Sequence, residues 1–421
     1  MITKIEATNY RSLRKISQSL SPFQILVGAN ATGKTTFLDV VSFMSDIVNH
    51  GIDSAIRDRA NDYTDLTFAQ NGGNIEFAIE LSIPKQLILK LKENEDMQYV
   101  RYELCIGIIK EKEEYAIIDE NLYLLKSEKP FIKKTRTEFP EIQLEYNSIL
   151  LKTDNKSSKK VITKRLYGND NYYPEIYKKS SGGRIPSFKL GHKKSALGNL
   201  PADEGKFPVS VWLKETLVQD VQILMLNSLK IRQASATNQG KKFLADGSNL
   251  PWMIDILKNE HEKKFKRWIS HLQTALPDIV DIEVIERADD KHKYIKVDYG
   301  NGIKVPSWLI SDGTLRLLAL TILAYLPDFK GIYLIEEPEN GIHPKAVETL
   351  YQSLSSVYDA QILIATHSPV FLSIAETKDI LCFAKTEAGT TDIVRGDEHP
   401  KLKDWKGELN ISVLFASGVL G

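Results

Sequence analysis

Residues 28–35 read Gly-Ala-Asn-Ala-Thr-Gly-Lys-Thr, between the apolar run Phe23–Val27 and an apolar-periodic segment that begins near Lys34. A G-x-x-x-x-G-K-[ST] string placed between a strand and a helix constrains the fold more than any other feature of this chain. Its glycines let successive backbone N–H groups turn inward around a phosphate chain, at a helix N-terminus whose dipole favours anions. Lys34 is expected to reach the β- and γ-phosphates of a nucleoside triphosphate, and the Thr35 hydroxyl to ligate Mg²⁺. The expected ligand is ATP or GTP with magnesium.

The other classes of protein are excluded by what the chain lacks. Its two cysteines, Cys105 and Cys382, are far apart and have no metal-ligand spacing. That speaks against a disulfide scaffold and a zinc site and fits a reducing compartment. The opening Ile2-Thr3-Lys4-Ile5-Glu6 alternates like a strand and has no signal-peptide core, and stretches such as Leu315–Tyr325 are too short to span a bilayer. A cytoplasmic protein without a membrane partner is expected. Net charge is zero, yet between Lys126 and Lys194 there are 17 Lys/Arg against 7 Asp/Glu, so a basic segment is hidden in a neutral total.

Periodicity divides the chain into four parts. Residues 1–125 hold the strands Ile2–Asn9 and Phe23–Val27, a helix from about Lys34 to His50, and three β-rich runs at Asn74–Ile83, Gln98–Ile109 and Glu114–Leu125. Residues 126–200 are polar, basic and broken by Pro130, Pro140, Pro174, Gly182-Gly183 and Pro186, which predicts an insertion with little core of its own. Residues 201–300 carry helical periodicity over Val209–Leu226 and Trp252–Leu276, followed by strands at Asp281–Ile285 and Tyr294–Tyr299. From 301 to 421 helices and strands alternate. Helices are expected at Ser311–Tyr325, Pro344–Tyr358 and Pro369–Ala375, with strands at Gly331–Ile335 and Gln361–Ala365. Such alternation predicts a parallel sheet covered by helices.

Three further strings carry chemistry. The apolar strand Gly331–Ile335 ends in Glu336-Glu337-Pro338-Glu339. Beside a phosphate loop, Glu336 would hold Mg²⁺ directly or through water, and Glu337 would orient or deprotonate the attacking water. The next strand ends in Ala365-Thr366-His367-Ser368-Pro369, where His367 could hydrogen-bond a γ-phosphate or the attacking water. Upstream, Leu309-Ile310-Ser311-Asp312-Gly313-Thr314-Leu315-Arg316 combines a serine, a flexible glycine and a helix start, which makes a second anion site.

This ordered set resembles the ATPase heads of the ABC type, specifically the SMC/RecF/OLD branch. The opening Asn9-Tyr10-Arg11-Ser12 and the run Glu337-Pro338-Glu339-Asn340-Gly341-Ile342-His343-Pro344 are similar to strings of that branch. The resemblance covers about residues 1–80 and 240–400. It implies an α/β P-loop NTPase: a mixed sheet flanked by helices, an antiparallel β lobe and the basic insertion. It also implies ATP contacts from Arg11, Gly28, Asn30, Gly33, Lys34, Thr35 and Thr36, with Mg²⁺ held by Thr35, Glu336 and a loop glutamine for which Gln70 is the candidate. Catalysis would rest on Glu337, His367 and Lys34. Ser311 and Gly313 would complete the nucleotide site of a second copy, giving an ATP-dependent dimer. The signature departs from the common Ser-Gly-Gly-Gln at Asp312 and Thr314.

The basic insertion interleaves Lys133-Lys134-Thr135-Arg136, Lys159-Lys160, Lys164-Arg165, Lys178-Lys179, Arg184 and Lys193-Lys194 with Phe131, Tyr146, Tyr167, Tyr172, Tyr173, Tyr177 and Phe188. Such a mixture suits duplex DNA across 126–194, or a protein docking surface. Only 54 residues follow His367, and the tail ending Leu414–Gly421 offers no paired carboxylate cluster, so no nuclease domain is expected within the chain. Compact heads with E-E-P-E-N and T-H-S-P resemble ATPase subunits of bacterial anti-phage defence that control a separate nuclease or toxin. A RecF-like DNA-repair ATPase is the alternative, and a transporter nucleotide-binding subunit a more distant one.

Overall fold

The chain opens with a hairpin, β1 (Ile2–Tyr10) and β2 (Leu13–Ser19), and then enters β3 (Phe23–Gly28), which leads directly into the phosphate loop. This computed structural model describes all residues except 92, 93, 95, 128–135, 142–146, 152–156, 177–185, 241 and 403–421. Phe131, Lys133–Thr135, Tyr146, Tyr177–Lys179, Arg184 and the stretch Leu414–Gly421 therefore lie outside the described residues.

An antiparallel lobe grows on β1. Strands β4 (Ile75–Ser82), β5 (Tyr99–Ile109) and β6 (Glu114–Leu125) follow one another in it, as alternation predicts. The described part of 126–200 is not a core-poor insertion: β7 (Ser158–Arg165), β8 (Asp170–Tyr172) and β9 (Ser187–Phe188) extend the same sheet to eight strands, ordered β2-β1-β4-β5-β6-β7-β8-β9. Val161, Ile162, Tyr172, Ala196, Leu197 and Leu200 join the main core. The lysine-rich composition hid this because β7 has only two strongly apolar residues among its polar ones.

The expected long helix over Val209–Leu226 is replaced by a helix at Pro208–Glu215, a π-helical turn at Thr216–Asp220 and β10 (Val221–Leu224). Its β-branched residues gain more by pairing along a sheet than by continuing a helix. The segment Trp252–Leu276 is likewise two helices, Leu250–Glu260 and Glu262–Leu272, divided at His261 with φ −136°. A three-stranded sheet of β11 (Asp281–Glu286), β12 (Lys293–Asp298) and β13 (Lys304–Pro306) follows.

The C-terminal part supplies β14 (Gly331–Glu336), β15 (Ala360–Ala365), β16 (Ile380–Lys385) and β17 (Thr391–Arg395). They form a six-stranded sheet ordered β10-β14-β15-β3-β16-β17, parallel except for β17. Alternate residues of its central strands enter opposite cores. Leu26, Leu334 and Leu363 face the core shared with the antiparallel lobe, while Ile25, Val27, Ile335 and Ile364 face the C-terminal helices. Burial on both faces is why these strands read as nearly continuous apolar runs, interrupted only by the buried Gln24 and Gln361 near their starts. The helix Lys34–His50 buries ten side chains, from Phe37 to Val48 on the lobe side and Lys34 at its start, because it is packed between two sheets. No helix among the described residues is long and apolar enough to cross a membrane.

Candidate nucleotide site

The adjacent parallel strands β14, β15 and β3 end at one edge, in register through Glu336 opposite Ala365 and Ala365 opposite Leu26. Open α/β sheets bind ligands outside the carboxyl ends of such strands. A cavity of about 530 Å³ lies there. The loop contributes Asn30, Ala31, Gly33, Lys34, Thr35 and Thr36, the β14 end Glu336 and Glu337, the β15 end Ala365 and His367, and the hairpin turn Arg11 and Ser12.

Each wall has a local cause. Gly33, at φ 103°, begins the helix Lys34–His50, and a Cβ there would sit 2.4 Å from Thr391 Oγ1 and 2.8 Å from Ser12 Oγ. Only glycine fits that conformation and that gap. Lys34 Nζ donates to the carbonyls of Gly28 at 2.9 Å and Ala29 at 3.0 Å. Burial pulls its ammonium down to about 8, against the attraction of Glu337 and Glu336. Arg11 has φ 48°; its N–H donates to Leu66 O at 2.8 Å and its guanidinium lies 3.4 Å from Asp39. Tyr10 also donates to Asp39, and Arg59 closes the group on Asp39 at 2.8 Å and Asp46 at 2.7 Å.

On the carboxylate wall, Glu337 takes φ 45°, a left-handed backbone rare outside glycine, and its N–H donates to Ala365 O at 2.8 Å. His367 Nε2 lies 3.8 Å from Glu337 Oε1. Burial and the neighbouring Lys34 ammonium lower the His367 imidazole from its ordinary value, and Glu339 opposes them. Glu339 is pushed up to about 7 by burial and by the Glu337 carboxylate, against the hydrogen bond it accepts from Thr366. Thr35 and Glu336, both exposed on the cavity wall, offer the hard oxygen donors that suit Mg²⁺.

Of the residues picked out in the sequence, Arg11, Asn30, Gly33, Lys34, Thr35, Thr36, Glu336, Glu337 and His367 line the cavity. Gly28 ends β3 just behind it. Gln70 is not in the lining; it is exposed and its amide donates to Asp65 at 3.1 Å. Ser311 and Gly313 are also elsewhere. Ser311 caps the helix Asp312–Thr321 by accepting from Thr314 N at 3.2 Å, and Asp312 pairs with Arg232 at 2.5 Å. A Cβ on Gly313 would meet Gly341 O at 2.2 Å, so this glycine allows the signature helix to touch the turn after β14. Ser12, Thr391 and Glu339 were missed as site residues. For Glu339 the signal was its place two residues after Glu337, within a string already singled out. Among the described residues no cluster of three or more metal-ligating side chains occurs.

The basic segment is partly neutralised where it is described. Lys164 is buried against Asp170 at 2.7 Å, Arg136 pairs with Asp392 at 2.7 Å, Lys193 with Asp53 at 2.9 Å, and Arg165 with Asp119. Lys189 and Lys194 are exposed.

A family model described as "AAA domain, putative AbiEii toxin, Type IV TA system" matches residues 23–373. The chain belongs to this AAA-domain family. Among curated proteins, none matches it. Among solved structures, an SMC head bound to the C-terminal winged-helix domain of ScpA is similar, with 13% identity, TM-score 0.52, and coverage of 93% of this chain and 96% of that one. An SMC head with an extended coiled coil, bound to the C-terminal domain of ScpA from Pyrococcus furiosus, has 12% identity and TM-score 0.49 over 93% and 95%. An SMC head from Thermotoga maritima has 12% identity and TM-score 0.42 over 94% and 98%. This member of the AAA-domain family shares the mixed α/β fold of the SMC head bound to the ScpA winged-helix domain.

Proposed function

We propose that this chain hydrolyses ATP in its cavity, pairs head-to-head with a second copy when ATP is bound, and so controls a separate effector in anti-phage defence. One observation carries the reading: phosphate loop, paired carboxylates and histidine surround a single cavity, while Ser311 and Gly313 lie outside it in the same chain. A site with every element except the signature invites completion by a second copy.

In this reading the loop N–H groups and Lys34 bind the β- and γ-phosphates, and Arg11 adds positive charge at the rim. Thr35 and Glu336 hold Mg²⁺, which when bound neutralises phosphate charge. Glu337 accepts a proton from water as the water oxygen attacks the γ-phosphorus and the bond to the β-phosphate oxygen breaks. His367 orients the water or the γ-phosphate. The family description, with its toxin of a type IV system, supports a role in defence, and a nuclease or toxin is the effector proposed. Duplex DNA is the proposed signal, bound by exposed cations of 126–194 such as Lys189 and Lys194, which make no ion pair among the described residues.

Hydrolysis by wild type and Glu337→Gln, each with and without duplex DNA, tests this. Turnover stimulated by DNA and reduced at least about a hundredfold in the variant is expected, since a missing general base typically costs about 10²–10⁴. DNA affinity should fall steeply with salt. Turnover lost in the variant yet indifferent to DNA would reassign the basic surface to protein docking. Turnover that survives the substitution would remove Glu337 from the chemistry.

A further inference from the structure

Arg11 reaches the cavity from the short turn between β1 and β2, in a backbone that non-glycine residues rarely adopt, with φ 48°. Its N–H donates to Leu66 O at 2.8 Å. A left-handed residue persists only where its surroundings over-determine it, and such residues gather at ligand sites. Here the surroundings are a network of charged and polar side chains behind the cavity, none of which lines it apart from Arg11 itself.

Asp39 is the centre of that network. On the helix Lys34–His50 it follows Thr35 by four residues and Thr36 by three, so it shares the face that those two cavity residues occupy. One carboxylate oxygen, Oδ2, accepts from the Tyr10 hydroxyl and from Arg11 Nη1 at 3.4 Å. The other, Oδ1, accepts from Arg59 Nε at 2.8 Å. Arg59 is pinned in turn. It donates to Asp46 Oδ2 at 2.7 Å and to Ser42 Oγ at 3.1 Å, and its guanidinium lies 4.5 Å from the centre of the Phe43 ring. The Arg59 carbonyl accepts from Arg11 Nη2 at 3.3 Å. Arg11 is thus gripped at both terminal nitrogens, by a carboxylate and by a carbonyl. The anchoring side chains of Asp39 and Arg59 are 16% and 8% exposed against 32% for Arg11, so the anchors are covered and the guanidinium is not. A guanidinium carries five N–H donors in a rigid plane, and these two bonds leave others for an anion.

We propose that Asp39 is a positioning residue for Arg11: it ties the arginine to the helix that begins at the phosphate loop, so that cation and loop meet the nucleotide phosphates as one rigid unit. Arg59 offsets the charge of Asp39, which lets the carboxylate orient Arg11 without cancelling it at the rim. A long side chain ordered before its ligand arrives has less freedom to lose on binding. The inference rests on the part given above to Arg11 in nucleotide binding.

The test measures the Kd of a fluorescent ATP analogue with Mg²⁺, together with a melting curve, for wild type, Arg11→Ala, Asp39→Asn and the double variant. Arg11→Ala should raise the Kd about tenfold or more, the scale of one charge-assisted hydrogen bond. Asp39→Asn should raise it about three- to tenfold, the scale of ordering one flexible side chain. In the Arg11→Ala background the same substitution should change the Kd by less than about twofold, because its effect passes through Arg11. A carboxylate that acted by its charge alone would do the opposite, since removing it favours a polyanion. A Kd that falls in Asp39→Asn, a Kd equal to that of wild type, or a loss that persists undiminished without Arg11 would each overturn the proposal. Should Asp39→Asn fail to fold, Asp39→Glu decides by the same cycle, for it keeps the charge and displaces the carboxylate. An unchanged Kd in Arg11→Ala would remove the reading of Arg11 itself, and this inference with it.

Discussion

At the scale of single residues, the phosphate loop depends on a brace from the far end of the chain. Thr391, the first residue of β17, donates its hydroxyl to Thr32 O at 2.8 Å, and Ser12 Oγ lies 2.9 Å from Thr391 Oγ1, to which the serine hydroxyl can donate. Gly33 passes directly over this pair. Gly33→Ala would place a methyl group against Thr391 and force a side chain into a positive-φ backbone, a strain of about 1–3 kcal/mol. Part of that strain is relieved by moving the loop, so ATP affinity should fall about tenfold or more while the fold persists. Nucleotide titration together with a melting curve checks this; affinity retained in a stably folded variant would show the brace is not needed.

At the scale of elements, legibility followed burial. The helix Lys34–His50 and strands β14 and β15 were readable because buried faces demand apolar residues at fixed spacing. β10 was not, since a four-residue edge strand is too short to break a helical pattern set by the residues before it. The joint at His261 was hidden for a similar reason: both helices keep their apolar stripes, and only the backbone turns. The cavity residues on loop and strand ends were legible as motifs. Thr391, however, reaches the site only through tertiary pairing of β17, which no local pattern announces.

One such long-range device is a cap. Phe207 precedes the helix Pro208–Glu215 and offers no side-chain acceptor, but Glu175 accepts from Val209 N at 2.6 Å, Ser210 N at 2.8 Å and Ser210 Oγ at 2.5 Å. Burial pushes this carboxyl up to about 7, against those three donors. A carboxyl group with a raised pKa in the fold binds more protons folded than unfolded. Its contribution is therefore fully present below its unfolded value near 4.5 and is lost as pH rises through about 7. Glu175→Gln cannot titrate and loses one acceptor, which lowers stability by about 1 kcal/mol. The melting temperature of wild type minus that of the variant should shrink from pH 5 to pH 8. A constant difference would mean that Glu175 is ionised throughout.

At the scale of the whole molecule, the surface beside the helix Asp312–Thr321 carries several exposed, large apolar side chains. Leu309 is 70% exposed and Trp308 46%, immediately before Ser311. Leu229, 73% exposed, lies on the short helix Ser228–Arg232, which packs against the signature helix and is tied to it by Arg232 and Asp312. Large apolar side chains grouped beside an exposed helix N-terminus are costly to leave in water and are the usual mark of a contact surface. If ATP bound by one copy draws this surface of another over it, then blocking hydrolysis should trap the pair. Glu337→Gln with Mg²⁺-ATP should double in mass by light scattering, and return to one copy when ATP is withdrawn. Adding Leu309→Asp to that variant should abolish the doubling without changing nucleotide affinity, because Leu309 is not in its own chain's cavity. Doubling that persists with Leu309→Asp would move the interface elsewhere on the head. A mass indifferent to ATP in Glu337→Gln would mean that nucleotide does not govern association, and the effector would then have to read the state of a single head.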